Sequence, residues 1–250
     1  MNPAIALDPV IEPKDRIIVA LDVESSDKAL SIVDELSGSV GAFKVGLQLF
    51  AGAGPSFVRK LVDSGVKVFL DLKFHDIPNT VAKASVEAAR LGIWMFNVHA
   101  SGGSEMMRRT VDEVGEVCDK ESLNVPKIIA VTVLTSSNSE TLAETGVNAE
   151  MEPQVLLLAE LTAKCGMDGV VASPLEIASV RNVVNSSEFL IVTPGIRPGF
   201  ATKDDQKRVM TPSEALTEGA NYLVIGRPIT AAEDRREAVE RILEEISNPN

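Results

Sequence analysis

Short runs of β-type apolar residues alternate with helical segments along almost the whole of this 250-residue chain. Each apolar run is followed by a segment whose apolar positions recur at helical spacing. The alternation occurs eight times and is not interrupted by a linker or a low-complexity segment. The predicted strands are residues 16–22, 42–46, the first part of 66–80, 94–99, 127–134, 169–172, 189–193 and 222–226.

Repeated β–α units imply a parallel sheet with helical crossovers, and eight of them favour a single closed (β/α)₈ TIM barrel. The alternative is a doubly wound open sheet, but no GxGxxG follows the first strand and no GxxxxGK[ST] is present. We therefore expect an N-terminal tail at residues 1–14 and one barrel domain at 15–250.

Prolines and glycines predict where several helices begin and end. The second helix is expected to begin at Pro55 and the third at Pro78. Residues 135–140 are expected to form a Ser/Thr-rich loop, and residues 194–208 a long loop rich in glycine, proline and charge. The last helix is expected from about Thr230.

Residues 66–80, VKVFLDLKFHDIPNT, gather ionisable side chains at the end of the third strand. Because side chains alternate faces in a strand, Phe69, Asp71 and Lys73 should share one face while the other face is apolar. Asp76 then lies at the corner between this strand and the helix that begins at Pro78.

Each of these charges also has a purely structural interpretation. Asp76 could cap the following helix, and Asp71 with Lys73 could form an ion pair at the mouth of the barrel. Two carboxylates flanking one ammonium group at a strand end are nevertheless typical of a site built for proton transfer. Taken together, the three residues favour catalysis.

Composition narrows the classes of partner. The chain has 24 basic and 36 acidic residues and a formal charge of −12, which disfavours a nucleic-acid or anionic-membrane surface. No apolar run approaches the length of a membrane span, and residues 1–14 lack the basic start of a signal peptide. Cys118 and Cys165 have no metal-ligand spacing, so we expect buried thiols in a cytoplasmic protein.

The carboxyl ends of the predicted strands carry polar residues, as the active-site face of such a barrel should. The loops after the seventh and eighth strands, PGIRPG and VIGRPIT, each pair a glycine with an arginine, Arg197 and Arg227. Glycine allows backbone N–H groups to approach an anion, and arginine adds a forked donor, so we predict a phosphate site there. His75 and His99 are expected to be structural, and no residues have metal-ligand spacing, so we predict no metal.

Seven motifs together resemble the orotidine 5′-phosphate decarboxylase family of the bacterial type, over residues 16–229. They are ALD at 20–22, FKVG at 43–46, DLKFHDIPNT at 71–80, NVHASGG at 97–103, VTVLTS at 131–136, VTPGIRP at 192–198 and VIGRPI at 224–229. The DxKxxD core alone is shared with a wider group of barrel enzymes, whereas its extension to FHDIPNT is much more specific. The resemblance implies cofactor-free decarboxylation of orotidylate to UMP in de novo pyrimidine synthesis.

The resemblance also implies residue roles around the reacting carbon. Lys73 would donate the proton to the pyrimidine carbon that loses CO₂, and Asp71 would lie next to the departing carboxylate. Lys44 would belong to the same catalytic group. Asp76 and Thr80 would be contributed by the partner subunit of a homodimer.

The remaining implied roles concern substrate binding. Asp22 and Lys44 would contact the ribose, and Thr135 the base. Gln206, Gly226 and Arg227 would hold the phosphate, with Arg197 at the base of a closing loop. Two alternatives stay open: a metal-dependent sugar-phosphate decarboxylase or aldolase on the same barrel, and a non-catalytic nucleotide-binding barrel.

Overall fold

Eight parallel strands close into a barrel in chain order, with β8 paired to β1. The computed structural model describes residues 11–200 and 210–248. The strands are β1 (Ile17–Ala20), β2 (Ala42–Gly46), β3 (Val68–Phe74), β4 (Met95–His99), β5 (Lys127–Val131), β6 (Gly169–Val171), β7 (Leu190–Pro194) and β8 (Tyr222–Ile225). The predicted (β/α)₈ barrel is confirmed.

Helices surround the barrel. They are α1 (Ser26–Leu36), α2 (Leu47–Asp63), α3 (Pro78–Arg90), α4 (Gly103–Glu121), α5 (Ser139–Glu144), α6 (Met151–Lys164), α7 (Ile177–Val184), α8 (Pro212–Thr217), α9 (Arg227–Thr230) and α10 (Arg235–Ser247). Short 3₁₀ turns precede β1 (Pro13–Arg16) and follow β4 (Ala100–Gly102) and β6 (Pro174–Glu176).

Two predicted helix boundaries were wrong, and one helical segment was missed. Helix α2 contains a break at Gly54, whose φ is 72°. The segment after the break begins at Pro55, as predicted, and the missed segment is the one before it, which begins at Leu47. The predicted loop at 135–140 contains the start of α5, where the Asn138 side chain accepts from the Thr141 N–H and caps the helix. The predicted final helix is two helices, α9 and α10, and the second is capped by Asp234.

Apolar side chains fill the inside of the barrel below its carboxyl-terminal end. The inward-facing cluster is Ile18, Ala20, Ala42, Phe69, Met95, Ile129, Val192 and Val224, with Trp94, Val171, Leu190 and Tyr222 packed against it. Trp94 and Tyr222 meet edge to face with ring centroids 5.1 Å apart. In the part of the chain that the structure describes, the interior of the barrel is therefore a packed core, and the space for a ligand within the barrel lies at its carboxyl-terminal end.

A larger apolar layer lies between the strands and the helices and includes both cysteines. Cys118 and Cys165 are buried free thiols, as predicted, and burial raises the pKa of each. Within residues 11–200 and 210–248, no helix combines the length and the hydropathy that a membrane crossing requires.

Candidate active site at the mouth of the barrel

A cavity of about 410 Å³ opens at the carboxyl ends of the strands. Eight residues that the sequence singled out line it together: Asp22, Lys44, Asp71, Lys73, Thr135, Arg197, Gly226 and Arg227. Its remaining wall is largely apolar and includes Phe69, Val131, Val133, Leu134 and Val171. The cavity thus combines a charged side, two arginines and a hydrophobic wall.

The charged side is a chain of alternating signs that runs across three strands. Lys44 Nζ lies 2.9 Å from Asp22 Oδ1 and 3.2 Å from Asp71 Oδ2. Lys73 Nζ lies 2.7 Å from Asp71 Oδ1. We call Asp22, Lys44, Asp71 and Lys73 the charge array.

Within the charge array, burial and ion pairing have opposite effects on the pKa values of Asp71 and Lys44. Burial alone would raise the pKa of the Asp71 carboxyl, but Lys44, Lys73 and hydrogen bonds from Lys73 and Asn97 lower it below its ordinary value. Burial alone would lower the pKa of Lys44, but Asp71 and Asp22 raise it. Both groups are therefore charged at neutral pH, although each is largely withdrawn from water.

The backbone at Lys73 departs from a regular strand. Its φ is 54°, and the pairing of β3 with β4 shifts register between Leu70 and Phe74. The Lys73 N–H donates to Asn97 Oδ1 at 2.8 Å. Asp71 and Lys73 do face the same cavity, as predicted, but strand alternation alone does not determine the direction of Lys73.

Asn97 is a residue that the sequence reasoning missed. It lies on β4 and is 1% exposed, and its Nδ2 donates to Asp71 Oδ1 at 2.7 Å. The available signal was a single amide within an otherwise apolar strand, MFNVH. Such a group must find partners when it is buried, and here both partners belong to the end of β3.

Three predicted site residues are not among those that line this cavity. Asp76 is exposed, and its Oδ1 accepts from the Ile77 N–H at 2.6 Å, next to the start of α3. Thr80 lies in the first turn of the same helix and is also exposed. Gln206 lies outside the described residues.

The predicted anion-binding loops also line the cavity, and the loop after β8 lies beside the end of β1, the strand that pairs with β8. Gly195 has a φ of 85°, in the left-handed region that glycine tolerates. Arg197 follows in the loop, where its backbone N–H donates to the Met210 carbonyl at 3.0 Å. Gly226 follows the last residue of β8, and Arg227 begins the short helix α9.

A glycine also lies against the charged side, at Gly46. A Cβ there would lie 3.2 Å from both Asp22 Oδ1 and Lys44 Nζ. The absence of a side chain therefore leaves these two groups room to meet.

His75 and His99 contact each other beside the charge array, with ring centroids 5.4 Å apart. Burial, the neighbouring His75 and the Lys73 charge lower the pKa of His99, while Asp71 opposes the shift. Neither ring lines the cavity. Among the described residues, no three His, Cys, Asp or Glu side chains are grouped as metal ligands.

Comparison with known proteins agrees with this geometry. A sequence model described as "Orotidine 5′-phosphate decarboxylase / HUMPS family" matches residues 15–242. The chain belongs to this family. Its membership covers the whole barrel and every residue of the charge array.

Relatives within the orotidine 5′-phosphate decarboxylase / HUMPS family are close. The protein named orotidine 5′-phosphate decarboxylase from Geotalea daltonii is 52% identical over 235 residues, covering 94% of this chain and 97% of that one. The protein of the same name from Geobacter sulfurreducens is 53% identical over 237 residues, with 94% and 97% covered. A crystal structure of orotidine 5′-phosphate decarboxylase from Lactobacillus acidophilus has a TM-score of 0.81 and 40% identity, and covers 93% of this chain and 99% of that one.

Proposed function

We propose that this chain decarboxylates orotidine 5′-monophosphate to UMP and CO₂ in de novo pyrimidine biosynthesis, without a cofactor. The observation that carries the proposal is that the charge array lines one cavity together with Gly226 and Arg227. Relatives about half identical to this chain bear the name of this activity. The cavity has room for a ring, and its lining combines arginines suited to an anion with a lysine able to donate a proton.

The chemical step assigns Lys73 as the proton donor. The bond between the pyrimidine carbon and the carboxylate breaks, CO₂ leaves, and the electron pair remains on the ring carbon. The Lys73 ammonium group gives this carbon a proton, and water then reprotonates the amine. Charge that develops on the carbon is attracted to the ammonium group, so stabilisation grows towards the transition state.

Asp71 has two tasks in this proposal. It holds Lys73 at 2.7 Å, and it places a negative charge beside the carboxylate that leaves. Asp71 remains ionised because Lys44 and Lys73 oppose the effect of burial on its pKa. Repulsion between the two carboxylates is relieved as CO₂ forms, which favours the transition state over the bound substrate.

The other cavity residues bind parts of the substrate remote from the reacting carbon. Asp22 and Lys44 would bind the ribose, and Thr135 the base. Gly226 and Arg227 would bind the phosphate together with Gln206, with Arg197 at the base of a closing loop. Binding energy from such remote contacts can order the site for the chemical step.

We further propose that the active unit is a homodimer in which Asp76 and Thr80 complete the partner's cavity. In the single chain, both residues are exposed and lie apart from their own cavity. Ile77, between them, is 66% exposed, which is unusual for a large apolar side chain. A surface that combines polar site residues with an exposed isoleucine is consistent with burial against a second copy.

The test is to follow the ultraviolet absorbance of orotidylate mixed with the purified protein in excess EDTA. Conversion to the UMP spectrum is the expected result and would also show that no accessible metal is needed. An unchanged spectrum with folded protein would reject the proposal. Sugar phosphates with added magnesium would then test the metal-dependent alternative on the same barrel.

A further inference from the structure

The buried amide of Asn97 connects the two residues to which the proposed chemistry is assigned. It lies on β4 beneath the charge array and does not line the cavity. Its Oδ1 accepts from the backbone N–H of Lys73, and its Nδ2 donates to Asp71 Oδ1. One side chain therefore binds both partners of the ion pair, one through its backbone and the other through its carboxylate.

The contact to Lys73 compensates for an irregular backbone. A lysine at a φ of 54° is in the left-handed region, which costs free energy for a residue with a side chain. The register of β3 against β4 shifts at this point, so the N–H of Lys73 cannot pair as it would in a regular ladder. Asn97 Oδ1 supplies the missing acceptor at 2.8 Å.

The contact to Asp71 completes a set of three donors. Asp71 Oδ1 receives Lys73 Nζ and Asn97 Nδ2, both at 2.7 Å, while Oδ2 lies 3.2 Å from Lys44 Nζ. Both carboxylate oxygens are thus fixed in direction. Without Asn97, the carboxylate would keep only its two lysine partners and would be free to rotate between them.

We propose that Asn97 is a positioning residue that sets the geometry between Lys73 and Asp71 for proton donation. The inference rests on the proposed function, which assigns the chemistry to these two residues. A primary amide suits this position because it offers an acceptor and a donor on one planar group. Alanine would lose both hydrogen bonds, and an ionised aspartate would keep the acceptor but lose the donor.

The main experiment compares steady-state kinetics of the unchanged protein with Asn97→Ala and Asn97→Ser. We expect kcat of Asn97→Ala to fall by about 100-fold because small displacements of reacting groups are costly. KM should change by less than about threefold, since the cavity lining is intact. Equal kcat in a folded Asn97→Ala protein would overturn the proposal, and so would a loss confined to KM.

Asn97→Asp separates the two hydrogen bonds while conserving shape. The introduced carboxyl group would face Asp71 and Lys73 on β3. Its further neighbours are Lys44 on β2, beyond Asp71, and His99 on β4. The residue paired with it on β5 is the apolar Ile129. When this carboxyl group is protonated, it can donate to Asp71 again. We therefore expect the ratio of kcat in Asn97→Asp to kcat in the unchanged protein to rise as pH falls, and a ratio independent of pH would contradict the role of the donor.

A matched control is Asn221→Ala, which truncates a second buried asparagine at the other end of the barrel. Asn221 is 2% exposed, and its Oδ1 accepts from the Ile191 N–H at 2.8 Å. This variant should lose stability but keep kcat. If its kcat falls as far as that of Asn97→Ala, general destabilisation explains the loss and the positioning role is rejected.

A crystal structure of Asn97→Ala gives a readout that does not depend on turnover. Lys73 should leave the left-handed region, and its Nζ should lose the contact of 2.7 Å with Asp71. Retention of both features would overturn the inference even if kcat fell. If the protein without substitutions does not decarboxylate orotidylate, the proposed function is rejected. The crystal structure of Asn97→Ala would still decide whether Asn97 sets the geometry between Lys73 and Asp71.

Discussion

The two ends of the barrel each contain a buried cation, but they hold it in different ways. At the mouth, Lys44 lies between two carboxylates, Asp22 and Asp71. At the amino-terminal end of the barrel, which we call the floor, the Arg181 guanidinium extends from α7 and donates to uncharged oxygens. Its acceptors are the carbonyls of Gly219, Ser186 and Phe189 and the side chain of Asn221.

The difference shows in the electrostatics. Burial lowers the pKa of Arg181 to about 10, whereas the carboxylates raise the pKa of Lys44 despite burial. The floor satisfies a charge with fixed dipoles that join the loops before β7 and β8, an arrangement that stabilises the fold. The mouth keeps charges of both signs beside an open cavity, where a substrate can respond to them. This division agrees with the general roles of the two ends of such barrels.

The comparison predicts the largest effect at the mouth, for Lys73→Ala. We expect kcat for orotidylate to fall by about 10⁴-fold or more, because the proposed proton donor and the charge proposed to stabilise the transition state are lost together. Circular dichroism and Tm should show an intact fold. Lys127→Ala is the matched control, since Lys127 pairs with Asp168 at the opposite end of the barrel. Substantial residual turnover in Lys73→Ala would remove its assigned role.

A second prediction tests whether the mouth is completed by a partner subunit. Lys73→Ala and Asp76→Ala homodimers should each be inactive. Equal mixing with subunit exchange should restore about a quarter of the unmixed, unchanged activity, because half of the dimers are hybrids with one intact site. Native mass spectrometry would verify exchange, and no recovery after verified exchange would contradict the shared site.

Arg227→Ala should have an intermediate effect on binding. Loss of a charge-assisted contact should weaken UMP by roughly 10- to 100-fold while uridine changes by less than about threefold. Calorimetric titration of both ligands measures the difference. Arg90→Ala, on the exposed face of α3, provides the control. Equal losses for both ligands would remove the phosphate assignment.

At the floor, Arg181→Ala should reduce stability and leave catalysis unchanged. Three backbone carbonyls and the Asn221 amide oxygen would lose the hydrogen bonds from Arg181. This should cost about 3 kcal/mol and lower Tm by roughly 6–12 °C for a domain of this size. Thermal unfolding and kcat should be measured on the same preparation, with Arg90→Ala as a surface control. A fall in kcat with an unchanged Tm would reverse the proposed division between the two ends.

The smallest expected effect concerns the pH dependence due to His99. Its pKa in the folded protein is below 6.5, so the unfolded chain binds its proton more readily. Stability should therefore fall as pH drops through about 6.5, and His99→Gln should weaken this dependence. The difference in Tm between pH 7.5 and 5.5 should be smaller in His99→Gln than in the protein without substitutions, by only a degree or two. The effect is small because water screens the charge of a half-buried ring. Identical pH profiles would contradict the assignment.

The repeating pattern predicted the barrel well because each strand and helix has its own local signal. The ends of the strands predicted most of the cavity for a related reason: in a parallel barrel all carboxyl ends meet at one face. Helix α5 and the segment of α2 before Gly54 were missed because capping by Asn138 and a short helical segment that ends at a glycine leave no periodic signal.

Asn97 and the left-handed Lys73 show the limit of reasoning from one strand at a time. Alternation along β3 placed Asp71 and Lys73 on one face, but the shift of register against β4 is a property of two strands together. The hydrogen bonds of Asn97 likewise join residues 24 and 26 positions apart. Such pairings become visible only when the barrel is closed.

The packed interior of the barrel determines how substrate enters the cavity and how product leaves it. Among the described residues, Trp94, Tyr222 and the apolar side chains above them close the floor, so no passage runs through the barrel and the cavity opens at the carboxyl ends of the strands. A ligand therefore enters and leaves at the same end of the barrel, and a nucleotide bound in the cavity blocks the binding of a second one. Under the proposed function, UMP must dissociate before the next orotidylate binds, and UMP would act as a competitive product inhibitor.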